Sequence, residues 1–162
     1  MSSSFGSDAK RELLRHTVAT LAYRGGKAIR SAPASLADFR SADARTPVEI
    51  LAHIGDLLDW GLSIATGRRS WKDSKPLPWQ AEVDRFFAAL KRLDDYLAGS
   101  EPLQAPAEKL FQGPLADAFT HVGQIAILRR MAGTPVRAES YFDADIVAGR
   151  VGPSQTPPKR EF

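Results

Sequence analysis

Apolar residues recur at three- and four-residue intervals along four stretches of the chain, and no segment between them alternates as a half-buried strand would. The first stretch runs from Asp8 to Arg24, with Leu14, Val18, Leu21 and Ala22 on one stripe. Ser7 reads as its N-cap, Asp8 suits the positive helix start, and residues 1–7 read as a frayed lead-in. The run Arg24-Gly25-Gly26-Lys27 is expected to end or bend this helix, because paired glycines are poor helix formers. The second stretch has the clearest start. Thr46-Pro47-Val48-Glu49 combines a capping Thr, a Pro at the first helical position and a Glu three residues after the cap, and the helix should run on to Gly67.

Pro78 opens the third stretch, whose Val83, Phe86, Phe87, Leu90, Leu93 and Leu97 form an apolar stripe ending at Gly99. The fourth is expected from Pro114 to Gly133, with Pro135 as a firm stop. Between the first two helices, "SAPASLADFRSADAR" is long enough to be irregular or functional. From Thr134 onward no periodic helix appears: Tyr141, Phe142, Ile146 and Val147 are expected to pack a short extension onto the helices, and "GPSQTPPKREF" reads as a loose or surface-hugging tail. The pattern predicts an all-α four-helix bundle, one domain over 1–162, with long loops and an irregular C-terminal extension at 134–162.

Composition narrows the chemistry. A chain of 162 residues can bury a substantial core. It holds no apolar run near the roughly 20 residues that span a bilayer. Its start lacks the apolar centre of a secretory signal, so a cytoplasmic address is expected. There is no Cys, which removes disulfides, thiolate metal sites and a Cys nucleophile together, and no Asn. A net charge of +3 gives little bulk attraction for nucleic acid. The one local exception is the basic loop holding Arg68, Arg69, Trp71, Lys72 and Lys75, which reads either as a solvated loop or as a backbone-and-stacking surface for single strands. No phosphate-binding glycine loop, nucleophile elbow or His-Glu-x-x-His motif is present.

Three residues stand out. At about 100° per residue, His53 shares a side of the second helix with Leu57, Trp60 and Ile64, while Glu49, Asp56 and Asp59 form a neighbouring charged strip. His53 therefore sits at the edge of the apolar face, where an imidazole needs a hydrogen-bond partner or a metal. On the fourth helix Asp117, Thr120, His121 and Gln124 share one strip. That strip is either the solvated side of the helix or the side that meets His53. In the second case His53, Asp117 and His121 make a two-His, one-carboxylate set with open positions on a divalent ion.

Other residues carry two readings each. Gln124 either hydrogen-bonds a ligand or is simply exposed, and Glu49 either reaches toward His53 or only caps its helix. Trp60 either walls a pocket or packs in the core, His16 faces solvent, and Arg129 and Arg130 suit the negative end of the fourth helix.

At these residues the chain resembles the DinB-like (damage-inducible) four-helix-bundle family of metal-dependent enzymes. The resemblance rests on "TPVEILAHIGDLLDW" in the second helix and "DAFTHVGQIAILRRMAG" in the fourth. The family pattern places one metal-binding His in the second helix and a His-x3-His pair in the fourth. His53 matches the first ligand and His121 the last, whereas Asp117 stands where the pair's first His would be. A carboxylate there favours harder ions than a three-imidazole site would. The resemblance implies a bound divalent metal (Ni, Zn, Fe or Mn) in a hydrolase or thiol-dependent transferase, which activates a water or the thiol of a separate low-molecular-weight molecule against a small-molecule substrate. The competing expectation is a non-catalytic helical binding or dimerisation module without metal, its three polar residues merely hydrogen-bonded to one another. Either protein is expected to form a homodimer.

Overall fold

A computed structural model describes residues 3–162. It is all-helical in its regular structure. The elements are α1 (Ser3–Ile29), a 3-10 turn (Ala34–Leu36), α2 (Pro47–Ala65), α3 (Trp79–Ala98), one short turn α4 (Ala107–Leu110), a π-helical turn (Phe111–Leu115) and α5 (Ala116–Met131). Helices α1 and α2 each pack against both α3 and α5, so α1 and α2 occupy opposite corners of a four-helix bundle. Leu21, Leu51, Ile54, Phe86, Leu90 and Ile125 fill its centre, each at most 1% exposed. No helix among the described residues is long and apolar enough to cross a membrane.

The expected stripes are found where the periodicity put them. Leu14, Val18, Leu21 and Ala22 are buried on α1, as are Phe86, Leu90, Leu93 and Leu97 on α3. The capping box of α2 is fully formed: the Thr46 side chain accepts from the Glu49 N–H, and the Glu49 carboxylate accepts from the Thr46 N–H at 2.7 Å.

Three helix boundaries differ from expectation. Helix α1 begins at Ser3, so Ser7 lies inside it rather than capping it; of the expected frayed lead-in, residues 1–2 lie outside the described residues. It also runs straight through Gly25 and Gly26 to Ile29. The reason is packing: a Cβ on Gly25 would lie 2.6 Å from Cζ of Phe86 in the core, so the glycine lets α3 approach closely. The fourth helical stretch starts at Ala107, and Pro114 sits inside the π-helical turn instead of opening a helix. A proline has no N–H to donate, and a wider π turn is one way for a helix to accommodate it.

Charged side chains are also buried. Arg129, 7% exposed, donates to the Ala28, Arg30, Ser31 and Thr134 carbonyls and so closes the C-terminal end of α1. Asp56, 3% exposed, pairs with Arg85 of α3.

The C-terminal segment has no helix, as expected, and it hugs the bundle. The Glu139 side chain is wholly buried and accepts from the Tyr23 hydroxyl and from Lys27 Nζ, which also donates to Glu161 at 2.9 Å. A single bridge pairs Glu139 with Glu161. Tyr141 packs edge-on against Tyr23 and lies beneath the Arg24 guanidinium. Phe142 and Val147, by contrast, are exposed; Tyr141 and the buried Val151 are the residues that anchor this segment.

Candidate metal centre

The centre is built where α2 and α5 face each other. The capping box fixes the start of α2 and thereby the azimuth of His53, half a dozen residues on. Two turns further along the same helix, Gly61 lets the π turn seat closely. A Cβ at Gly61 would lie 3.2 Å from the Pro114 ring, tighter than ordinary packing. The π turn then delivers α5 with Asp117 and His121 one turn apart and aimed at α2.

The three expected ligands converge. His53, Asp117 and His121 each offer one ligand atom, and these atoms lie within 4.8 Å of one another. The imidazoles of His53 and His121 meet edge to face with centroids 4.7 Å apart. His121 Nε2 lies 3.4 Å from Asp117 Oδ1. Two donors bound at about 2.1 Å to one tetrahedral ion sit roughly 3.4 Å apart, so this pair already has the spacing of shared ligands.

The hydrogen bonding also suits a metal. Gln124 Oε1 lies 2.7 Å from His121 Nδ1 and accepts its proton, which leaves the Nε2 lone pair directed at Asp117 and His53. Gln124 is thus a partner of a ligand imidazole rather than of a carboxylate. Among the described residues neither ring nitrogen of half-buried His53 has a hydrogen-bond partner. Burial holds the His53 pKa below its usual value, aided by His121 and Arg45 and opposed by Asp117 and Asp56. A neutral imidazole is the form that ligates. The Asp117 side chain is about half exposed, at 49%, so the centre lies near the surface with its remaining side open.

Glu49 does not join the centre. Both its bonds go to Thr46, and Arg40 lies 3.6 Å away; this bonding holds its pKa low. His16 is exposed on α1, as expected. Trp60 is only half-buried and belongs to a wall: its ring meets Trp71 edge-on, and Trp71 in turn meets His53 at 5.7 Å. The aromatic of the basic loop is therefore folded over the His53 ring, with Arg69 stacked on Trp60.

Beyond the two imidazoles opens a cleft of about 540 Å³, lined by Ala44, Arg45, Ile50, His53, His121, Gln124, Ile127 and Leu128. Trp71 and Arg45 are the site residues that the sequence reading missed. Both lie in aperiodic loops, where no helical spacing points at a face. No protein-family model, curated protein or solved structure matches this chain.

Proposed function

We propose that the chain is a divalent-metal protein of DinB-like type, with His53, Asp117 and His121 as ligands, and that it works as a hydrolase or thiol-dependent transferase. The observation that carries the reading is the convergence of these three donors from two helices, with His121 held by Gln124 in the tautomer that ligates through Nε2.

A bound divalent ion supplies Lewis acidity, by which a water or a small external thiol becomes a nucleophile at neutral pH. This chain's own residues do the rest. Gln124 orients His121, and Trp71 and Trp60 shield one side of His53 from water. The cleft beside Ile50 and Ile127 receives the substrate.

The test is elemental analysis of protein purified without an affinity tag, followed by thermal melting with added Zn, Ni, Mn or Fe(II). Near-stoichiometric metal is expected in the wild type and in Glu49→Ala, and is expected to be absent in Asp117→Ala. Metal at about 100 times its Kd adds about 2.7 kcal/mol. For a chain of this size that raises Tm by roughly 5–10 °C. A metal-free wild type whose melting no divalent ion shifts would refute the reading.

A further inference from the structure

We infer that the cleft beside the candidate metal centre binds a small organic monocarboxylate with an apolar body, its carboxylate on Arg45 and its chain along Ile50, Ile127 and Leu128. The inference deepens the proposed function by naming its substrate class, and it rests on that reading for the charge of the centre beside the cleft.

Three observations carry it. First, the cleft wall holds no acidic side chain, and its apolar members come from both facing helices and the loop before α2: Ala44, Ile50, Ile127 and Leu128. Ile127 remains 51% exposed there, an apolar surface that a ligand's hydrocarbon part would cover. Second, Arg45 is the cleft's only cation, and no carboxylate lies within ion-pair distance of it among the described residues. Neighbouring Arg40, in contrast, is engaged with the Ala44 carbonyl and faces Glu49 at 3.6 Å. Third, the loop that presents Arg45 is held. The Ala44 N–H donates to the Ser41 carbonyl at 3.0 Å, Ala42 adopts a left-handed φ of 50°, and the Thr46 cap follows immediately. A strained, pinned turn fixes where the Arg45 side chain leaves the backbone.

Charge and shape then select the ligand. With a divalent ion on one carboxylate and two neutral imidazoles, the centre carries net positive charge, and Arg45 adds to it. The fork of a guanidinium matches a carboxylate in a bidentate pair. A single guanidinium without an amide cradle suits a monoanion better than a phosphate dianion. The apolar wall requires a ligand with a hydrocarbon part as well as an acid group.

The experiment titrates hexanoate, 1-hexanol and inorganic phosphate into the zinc-loaded protein, followed by isothermal calorimetry and by NMR shifts of the Ile methyl groups. The expected result is hexanoate binding about tenfold tighter than hexanol. Arg45→Gln should abolish that preference while leaving zinc uptake unchanged. Arg45 has no ion pair to lose, so this variant is expected to fold as the wild type does.

Hexanoate preference that survives in Arg45→Gln but vanishes in Asp117→Ala would place the carboxylate on the metal and overturn the assignment. Equal binding of hexanol and hexanoate, or phosphate competing as well as hexanoate, would overturn it too. Failure of the wild type to take up zinc is a separate result and sinks the metal reading. Arg45-dependent hexanoate binding measured on metal-free protein would still uphold the anion site in that case.

Discussion

Asp56 stands three residues beyond His53 and decides much of what surrounds it. Its carboxylate, 1% exposed, accepts from Arg85 Nη2 at 2.5 Å and from the Ser74 N–H at 2.9 Å. Ser74 follows Trp71 in the loop that covers His53, so one buried charge ties α2, α3 and the wall of the site together. Burial alone would push this carboxyl up. The hydrogen bonds from Arg85 and Ser74 outweigh it and hold the pKa below the ordinary value. A carboxyl with a folded pKa below its unfolded one binds fewer protons when folded. Its contribution is therefore complete above about pH 4 and lost as pH falls through the folded value. Asp56→Asn is expected to lower stability at pH 7 by about 2–4 kcal/mol, since Arg85 keeps Asp59 and Glu82 nearby. Urea midpoints measured from pH 7 to pH 2 should fall less steeply in the variant. Parallel pH profiles would show that ionisation of Asp56 adds no stability to the fold, and would overturn this.

At the scale of elements, α1 and α5 differ from what their sequences suggest for the same physical reason: a neighbour decides. Gly25 and Gly26 look like a helix end when only propensity is weighed, yet the helix continues through them to Ile29. The two glycines face different rings and are expected to respond with opposite signs. A methyl at Gly25 would collide with Phe86, which is 1% exposed and enclosed by core. Gly25→Ala should therefore cost about 1–3 kcal/mol despite its better helix propensity. A methyl at Gly26 would touch half-buried Phe87 at 3.5 Å, an ordinary contact. Gly26→Ala should stabilise by about 0.5–1 kcal/mol. Denaturant titration of the two variants checks this, and a shared sign would mean that Phe86 yields. Local chemistry was legible where it is self-contained. The Thr46–Glu49 box needs only four consecutive residues, and it forms as read. The start of the last helical stretch was not legible, because Pro114 lies in a π turn whose seat is Gly61 on another helix. The partners of Arg129 were not legible for a similar reason: the carbonyls it serves belong to the end of α1, about a hundred residues away.

For the whole molecule, helical spacing put Asp117 and His121 on one strip but left open whether that strip meets solvent or His53; the packing of α2 against α5 brings the three together. Arg45 and Trp71 complete the surroundings from loops, where no period exists to read. The C-terminal segment poses the largest gap between sequence and structure. It looks like a polar, proline-rich tail, yet it carries the buried Glu139 into contact with Tyr23 and Lys27 of α1. Lys27 keeps its charge there: burial lowers its pKa, but Glu139 and Glu161 raise it further. Burial and Glu139 also push the Tyr23 phenol well above its ordinary value, so Tyr23 remains a neutral donor. Val136 and Tyr141 of the segment share the lining of a small pocket with Phe119, Val122 and Ala126 of α5, whereas His121 and Gln124 line the cleft. Fastening of the tail and the metal centre thus use separate faces of one helix, and their energetics should be separable. Glu139→Ala leaves a buried hydroxyl without its acceptor and removes one of two counter-charges from Lys27, for an expected loss of about 3–5 kcal/mol. Glu161→Ala, whose side chain reaches solvent, should cost much less than Glu139→Ala. Protease cleavage within residues 134–162 should accelerate in Glu139→Ala, while zinc affinity under native conditions stays within about twofold of the wild type. A Glu139→Ala protein that lost zinc affinity while still folded would mean that the tail supports α5 through both faces, and the separation argued from their opposite linings would fail.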